Sequence, residues 1–99
     1  MELHYLSLNM AQRRSRIDII NDILAAIQRK GGKIKPTHLM YKANLSHKLM
    51  TSYLEELMEK ALVDEIKEKT NKYLIITDDG YKFLQKFKQM REFQESFGF

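Results

Sequence analysis

The chain has 99 residues and a formal charge of +4, with 43% hydrophobic and 30% charged residues, one proline, four glycines and no cysteine or tryptophan. That length fits one domain, and the apolar fraction argues against wholesale disorder. Without cysteine there is no disulfide framework, thiol nucleophile or cysteine-based zinc or iron–sulfur centre. The longest apolar run, Ile23 to Ile27, is far shorter than the roughly 18 residues of a membrane span. Met1 to Met10 lacks the basic-then-apolar order of a signal peptide, so a soluble protein of the cell interior, away from membranes, is expected.

The charge is unevenly placed. Residues 11–35 carry Arg13, Arg14, Arg16, Arg29, Lys30, Lys33 and Lys35 against Asp18 and Asp22, a local excess of +5, whereas residues 62–80 come to −2. Position therefore says more than the total.

In chain order, Ser15 is suited to cap a helix whose apolar positions Ile19, Ile20, Ile23, Leu24 and Ile27 recur at helical spacing. Gly31 or Gly32 supplies its left-handed stop. Pro36 and Thr37 open a short second helix with Leu39, Met40 and Ala43 on one side, and Asn44 is suited to turn the chain. Ser46 restarts a third helix at once, with Leu49, Tyr53, Leu54, Leu57 and Met58 as its expected buried stripe. This tight join has the spacing of a helix-turn-helix. Beyond Ala61 the period falls to about 2: residues 62–67 and 73–76 read as strands around a polar turn at 68–72. Thr77 caps a last helix in which Gly80 implies close packing and Phe83, Leu84, Phe87, Met90, Phe93 and Phe97 form an apolar stripe. That stripe exceeds what one small domain covers, so the last helix is expected to pair with a second copy.

The run Thr37-His38-Leu39-Met40-Tyr41-Lys42-Ala43-Asn44-Leu45-Ser46, with Tyr53, Leu54 and Leu57, resembles the small archaeal winged-helix proteins. These include the ArnR-like regulators and the related chromatin-associated dimers with a C-terminal coiled coil. The run from Tyr73 to Leu84 is similar to that family's second wing strand and following helix. The resemblance spans about residues 15–95 and implies a mainly α fold with a small β-hairpin, 13–80 the winged helix-turn-helix domain and 81–99 the dimerisation helix. Residues 1–12 have no counterpart in it and read as an arm or an extra strand from Leu3 to Leu8. Two positions depart from the family pattern. Ala61 stands where glycine is usual, and Asp79 stands where a base is common.

The resemblance further implies that the third helix enters the DNA major groove. Ser46, His47, Lys48, Thr51 and Ser52 lie near its N-terminal half on the non-apolar side, where hydroxyls and lysine meet phosphates or base edges. Lys67, Lys69, Asn71 and Lys72 at the wing tip are expected on the backbone or an adjacent minor groove. Arg13, Arg14 and Arg16 are the densest positive cluster. They oppose the dipole of the helix they precede, so a phosphate contact is expected there. Thr37 and His38 are further candidates, because the second helix crosses the backbone.

No nucleophile–base–acid arrangement or phosphate loop is readable, and His4, His38 and His47 are dispersed, so neither enzyme, metal site, cofactor nor small-molecule ligand is expected. The reading is a homodimeric, cytoplasmic, nucleoid-associated transcription regulator of double-stranded DNA. The alternatives are a general chromatin protein and a winged-helix protein-interaction module.

Overall fold

A computed structural model describes residues 14–99. The expected arm over residues 1–12 and the Arg13 assignment lie outside the described residues. Helix α1 spans Arg16–Arg29, and the Ser15 hydroxyl caps it by accepting from the Asp18 amide at 3.2 Å. It stops where Gly31 and Gly32 take φ of 83° and 91°, and the Gly32 amide returns to the Ile27 carbonyl at 2.9 Å. A two-residue strand β1, Lys33–Ile34, follows and leads into α2, Pro36–Lys42, with Pro36 in its first turn.

Asn44 makes the next turn at φ 54°. Ser46 then caps α3, His47–Glu59, by accepting from the Leu49 amide at 3.1 Å. Strands β2, Val63–Glu68, and β3, Asn71–Ile76, form an antiparallel hairpin in which Glu68 faces Asn71. Only Lys69 and Thr70 separate them, so the turn is tighter than the expected 68–72. β1 adds to the other side of β3, with Lys33 opposite Ile75, making a three-stranded sheet in the order β1-β3-β2. A two-residue strand leaves too short a pattern for periodicity to show.

The last helix, α4, spans Asp78–Ser96. Thr77 caps it by accepting from the Gly80 amide at 3.0 Å, while its hydroxyl donates to the Ala61 carbonyl at 2.7 Å. Gly80 is as closely packed as its position implied. A Cβ there would lie 2.4 Å from the Leu62 carbonyl oxygen and 2.5 Å from Ile76 Cγ1.

The core draws on every layer: Ile23, Leu24 and Ile27 of α1, Leu39 of α2, Leu57 of α3, and Ile34, Val63 and Leu74 of the sheet are fully buried. Each such side chain contributes about 1.5–3 kcal/mol of hydrophobic stabilisation. One expected core position fails. Leu49 is 42% exposed, and Met50, one residue on, is buried in its place. The stripe through Met50, Tyr53, Leu54 and Leu57 holds the 3.6 period, and Leu49 falls on its flank.

Candidate nucleic-acid interface

α3 presents a polar ridge opposite its buried stripe. Lys48, Ser52, Glu55 and Glu59 follow one another at helical spacing along it, all exposed. Lys48 sits in the N-terminal half and forms no ion pair among the described residues. The two glutamates make the far half acidic. His47, Thr51 and, at the edge of the ridge, Glu55 line a groove of about 250 Å³ between α3 and the hairpin, with Glu65 and Lys72 across it. The Thr51 hydroxyl donates to the His47 carbonyl at 2.8 Å, which leaves its lone pairs rather than its proton for a partner. Ser46 is similarly half-committed as the cap.

At the hairpin, Lys67, Lys69, Asn71 and Lys72 are all exposed. Lys72 lies 3.5 Å from Glu65, whereas Lys67 and Lys69 form no ion pair among the described residues. Lys33 of β1 reaches across the sheet to pair with Glu68, with its ammonium 4.8 Å from the centre of the Tyr73 ring. The hydrogen bond to Glu68 raises the Lys33 pKa above the ordinary lysine value.

The arginines before and within α1 are placed differently from the sequence-based expectation. The Arg14 guanidinium is engaged by Asp22 at 2.7 Å and by the carbonyls of Ala43 and Asn44 at 2.8 and 3.0 Å. Arg16 pairs with Glu56 of α3 and lies 5.4 Å over the Tyr53 ring, and that hydrogen bond raises its pKa. Arg14 joins the start of α1 to the α2–α3 turn through the carbonyls of Ala43 and Asn44, and Arg16 joins α1 to α3 through Glu56, a carboxylate that sequence distance concealed.

Thr37 is exposed on the outer side of α2. One turn along the same ridge is Tyr41, which the sequence reading passed over and which is 83% exposed. Its signal was its place opposite Leu39 and Ala43. His38 and His47 open on different cavities, His38 beside Arg29, Lys30 and Lys42, and His47 in the hairpin groove. Among the described residues no three His, Cys, Asp or Glu side chains are grouped to hold a metal ion.

On α4 the expected dimer stripe divides in two. Phe87 is buried within the chain, and Phe83 and Leu84 pack partly buried against its core. Arg91 lies 5.4 Å over the Phe87 ring and pairs with Asp18 of α1 at 3.2 Å. These three apolar residues face α1 and the core because the first half of α4 completes the domain. Met90, Phe93 and Phe97 are 39%, 63% and 66% exposed, and Ile17 of α1 joins them at 43%. Among the described residues no helix is long and apolar enough to cross a membrane.

Three helices, a helix–turn–helix join through Asn44 and a hairpin against β1 define a winged helix. The sequence profile of the winged helix-turn-helix family matches residues 13–95, and the chain belongs to that family. Its fold is similar to that of Sso10a-2, a DNA-binding protein from Sulfolobus solfataricus, at 21% identity and TM-score 0.73 over 85% of either chain. It is also similar to F93 from STIV, a winged-helix DNA-binding protein, at 16% identity and TM-score 0.69 over 80% of this chain and 91% of that one. MepR, a transcription regulator of the Staphylococcus aureus multidrug efflux pump MepA, matches at 14% identity and TM-score 0.71, over 95% of this chain and 76% of that one. No curated protein matches the chain in sequence.

Proposed function

We propose that this protein binds double-stranded DNA as a homodimeric transcription regulator, with α3 in the major groove and the β2–β3 hairpin on the phosphate backbone. The observation that carries this reading is the N-terminal half of α3. Ser46, His47, Lys48 and Ser52 are exposed together there, with Lys72 of the hairpin across the groove from His47. Hydroxyls and a lysine at a helix N-terminus suit phosphates and base edges. The reading leaves out Arg14 and Arg16, whose guanidiniums are engaged within the chain by Asp22 and by Glu56. Thr37 and Tyr41 extend the face onto α2.

The second copy docks through Ile17, Met90, Phe93 and Phe97, the apolar surface that one chain leaves open. Activity in the cytoplasm, on the nucleoid, follows from that role. A net +4 is modest for coating DNA without preference, which favours a regulator over a general chromatin protein.

Fluorescence-anisotropy titration of a random duplex and of the gene's own upstream DNA, across a salt series, tests the proposal. Affinity that falls steeply with salt supports DNA binding, and preference for one duplex supports regulation. No binding at low salt favours a second reading, a protein-interaction module, to which Glu55 and Glu59 on the outer ridge of α3 give weight.

A further inference from the structure

Seven bases of the described chain are paired with carboxylates: Arg14, Arg16, Lys33, Lys60, Lys72, Lys82 and Arg91. Once those pairs are set aside, much of the positive excess of the N-terminal third resides on Arg29 and Lys30 at the end of α1. Both line one cavity of about 280 Å³ with Lys42 and His38 of α2, over an apolar floor of Ala26 and Ile34. Among the described residues no carboxylate lines this cavity, and none pairs with Arg29, Lys30 or Lys42.

Each base is well placed on its own, since the C-terminal turn of a helix favours a cation. The helix dipoles do not explain why three cations from two helices open on the same cavity. All three are exposed, so solvent screens their mutual repulsion, and an anion held between them would meet all three at once. His38 and Lys42, one turn apart on α2, form one wall, and Arg29 and Lys30 form the other. The volume is at the lower end for small-molecule sites, which suits a compact ligand. Arginine and lysine together match the geometry and charge of a phosphate, and neutral or protonated imidazole can donate to it as well.

We propose that this cavity is a phosphate-binding site, seated against the first helix of the helix-turn-helix. The phosphate comes either from a phosphorylated small molecule or from the DNA backbone flanking α3. The proposal does not depend on DNA binding, because its first test uses the protein alone.

Inorganic pyrophosphate is titrated into the full chain while the His38 imidazole resonances are followed by NMR. The expected result is a saturable shift, with affinity weakened about ten-fold or more in the Arg29→Gln/Lys42→Gln double variant and unchanged in Lys82→Gln. All three substituted side chains are exposed, and a thermal melt checks that the variants remain folded. The salt dependence of duplex binding then assigns the source. A slope smaller by about 2 in the double variant identifies a backbone phosphate, and an unchanged slope identifies a free ligand. No saturable His38 shift, or equal pyrophosphate affinity in the double variant, overturns the site.

Discussion

Arg14 donates to the Ala43 carbonyl at 2.8 Å, which joins the residues before α1 to the turn between α2 and α3. The same guanidinium holds the Asn44 carbonyl and Asp22, so three acceptors converge on one side chain that is 20% exposed. Arg14→Ala is expected to cost about 1–2 kcal/mol, a figure reduced for partial exposure. Arg14→Lys should recover only part, because one ammonium cannot reproduce the planar fork. Urea denaturation of the three proteins checks this, and an undiminished midpoint for Arg14→Ala would rule out the staple.

Ala61 ends the turn after α3 at φ 58°, a conformation that glycine adopts without penalty. Ala61→Gly is therefore expected to stabilise the protein by about 1 kcal/mol, raising Tm by about 4–8 °C. Gly80→Ala should do the opposite despite the better helix propensity of alanine. Its Cβ would meet the Leu62 carbonyl oxygen at 2.4 Å, a backbone atom with little room to yield. A loss of about 2–3 kcal/mol is expected by calorimetry.

Lys48→Glu puts a negative charge on the ridge proposed to face DNA without touching the core. Duplex affinity should fall about ten-fold or more while the sedimentation coefficient stays the same. Lys67→Ala/Lys69→Ala should instead weaken binding to all duplexes alike and lower the salt slope by about 2. If neither variant changes the anisotropy titration, the assigned face is wrong.

Phe93→Glu/Phe97→Glu should give monomers by sedimentation velocity with little change in the stability of each chain, because those rings are already exposed in it. Phe87→Ala should behave differently. Its ring is 9% exposed and packs within the chain, so a loss of about 3 kcal/mol is expected. A stable Phe87→Ala monomer would mean that Phe87 belongs to the seam between copies.

Lys33 carries a pKa raised by its hydrogen bond to Glu68. A folded-state value above the unfolded one means the bridge contributes fully below the ordinary lysine pKa and is lost as pH climbs through the raised value. The Lys33 13Cε shift should titrate above the ordinary lysine range in the native protein. Glu68→Gln should bring it down, and an unmoved titration would exclude the bridge in solution.

The helical part of this fold was legible because its signals are local. Ser15, Ser46 and Thr77 each cap the helix they were expected to cap, and Asn44 turns the chain at positive φ as its side chain permits. Gly80 announced close packing by being a glycine inside a helical pattern. β1 escaped because two residues carry no period, and Leu49 because a one-residue shift in phase exchanges it with Met50. The site was harder to read. Whether a base is available depends on carboxylates far away in sequence, as with Arg16 and Glu56, 40 residues apart. The Lys48 ridge and the hairpin lysines stood out by position, whereas the cavity between Arg29 and Lys42 required the fold to bring two helix ends together.

Among the described residues, the sheet order leaves the outer side of β2 without a partner strand. The N–H and C=O groups on that outer side form a template on which another chain could add a strand. Four of the six residues of β2 are charged: Asp64, Glu65, Lys67 and Glu68. Bringing two such margins together would strip water from these charges and place like charges side by side, so this strand resists fibril-like growth while the lysines near its tip remain free for other work.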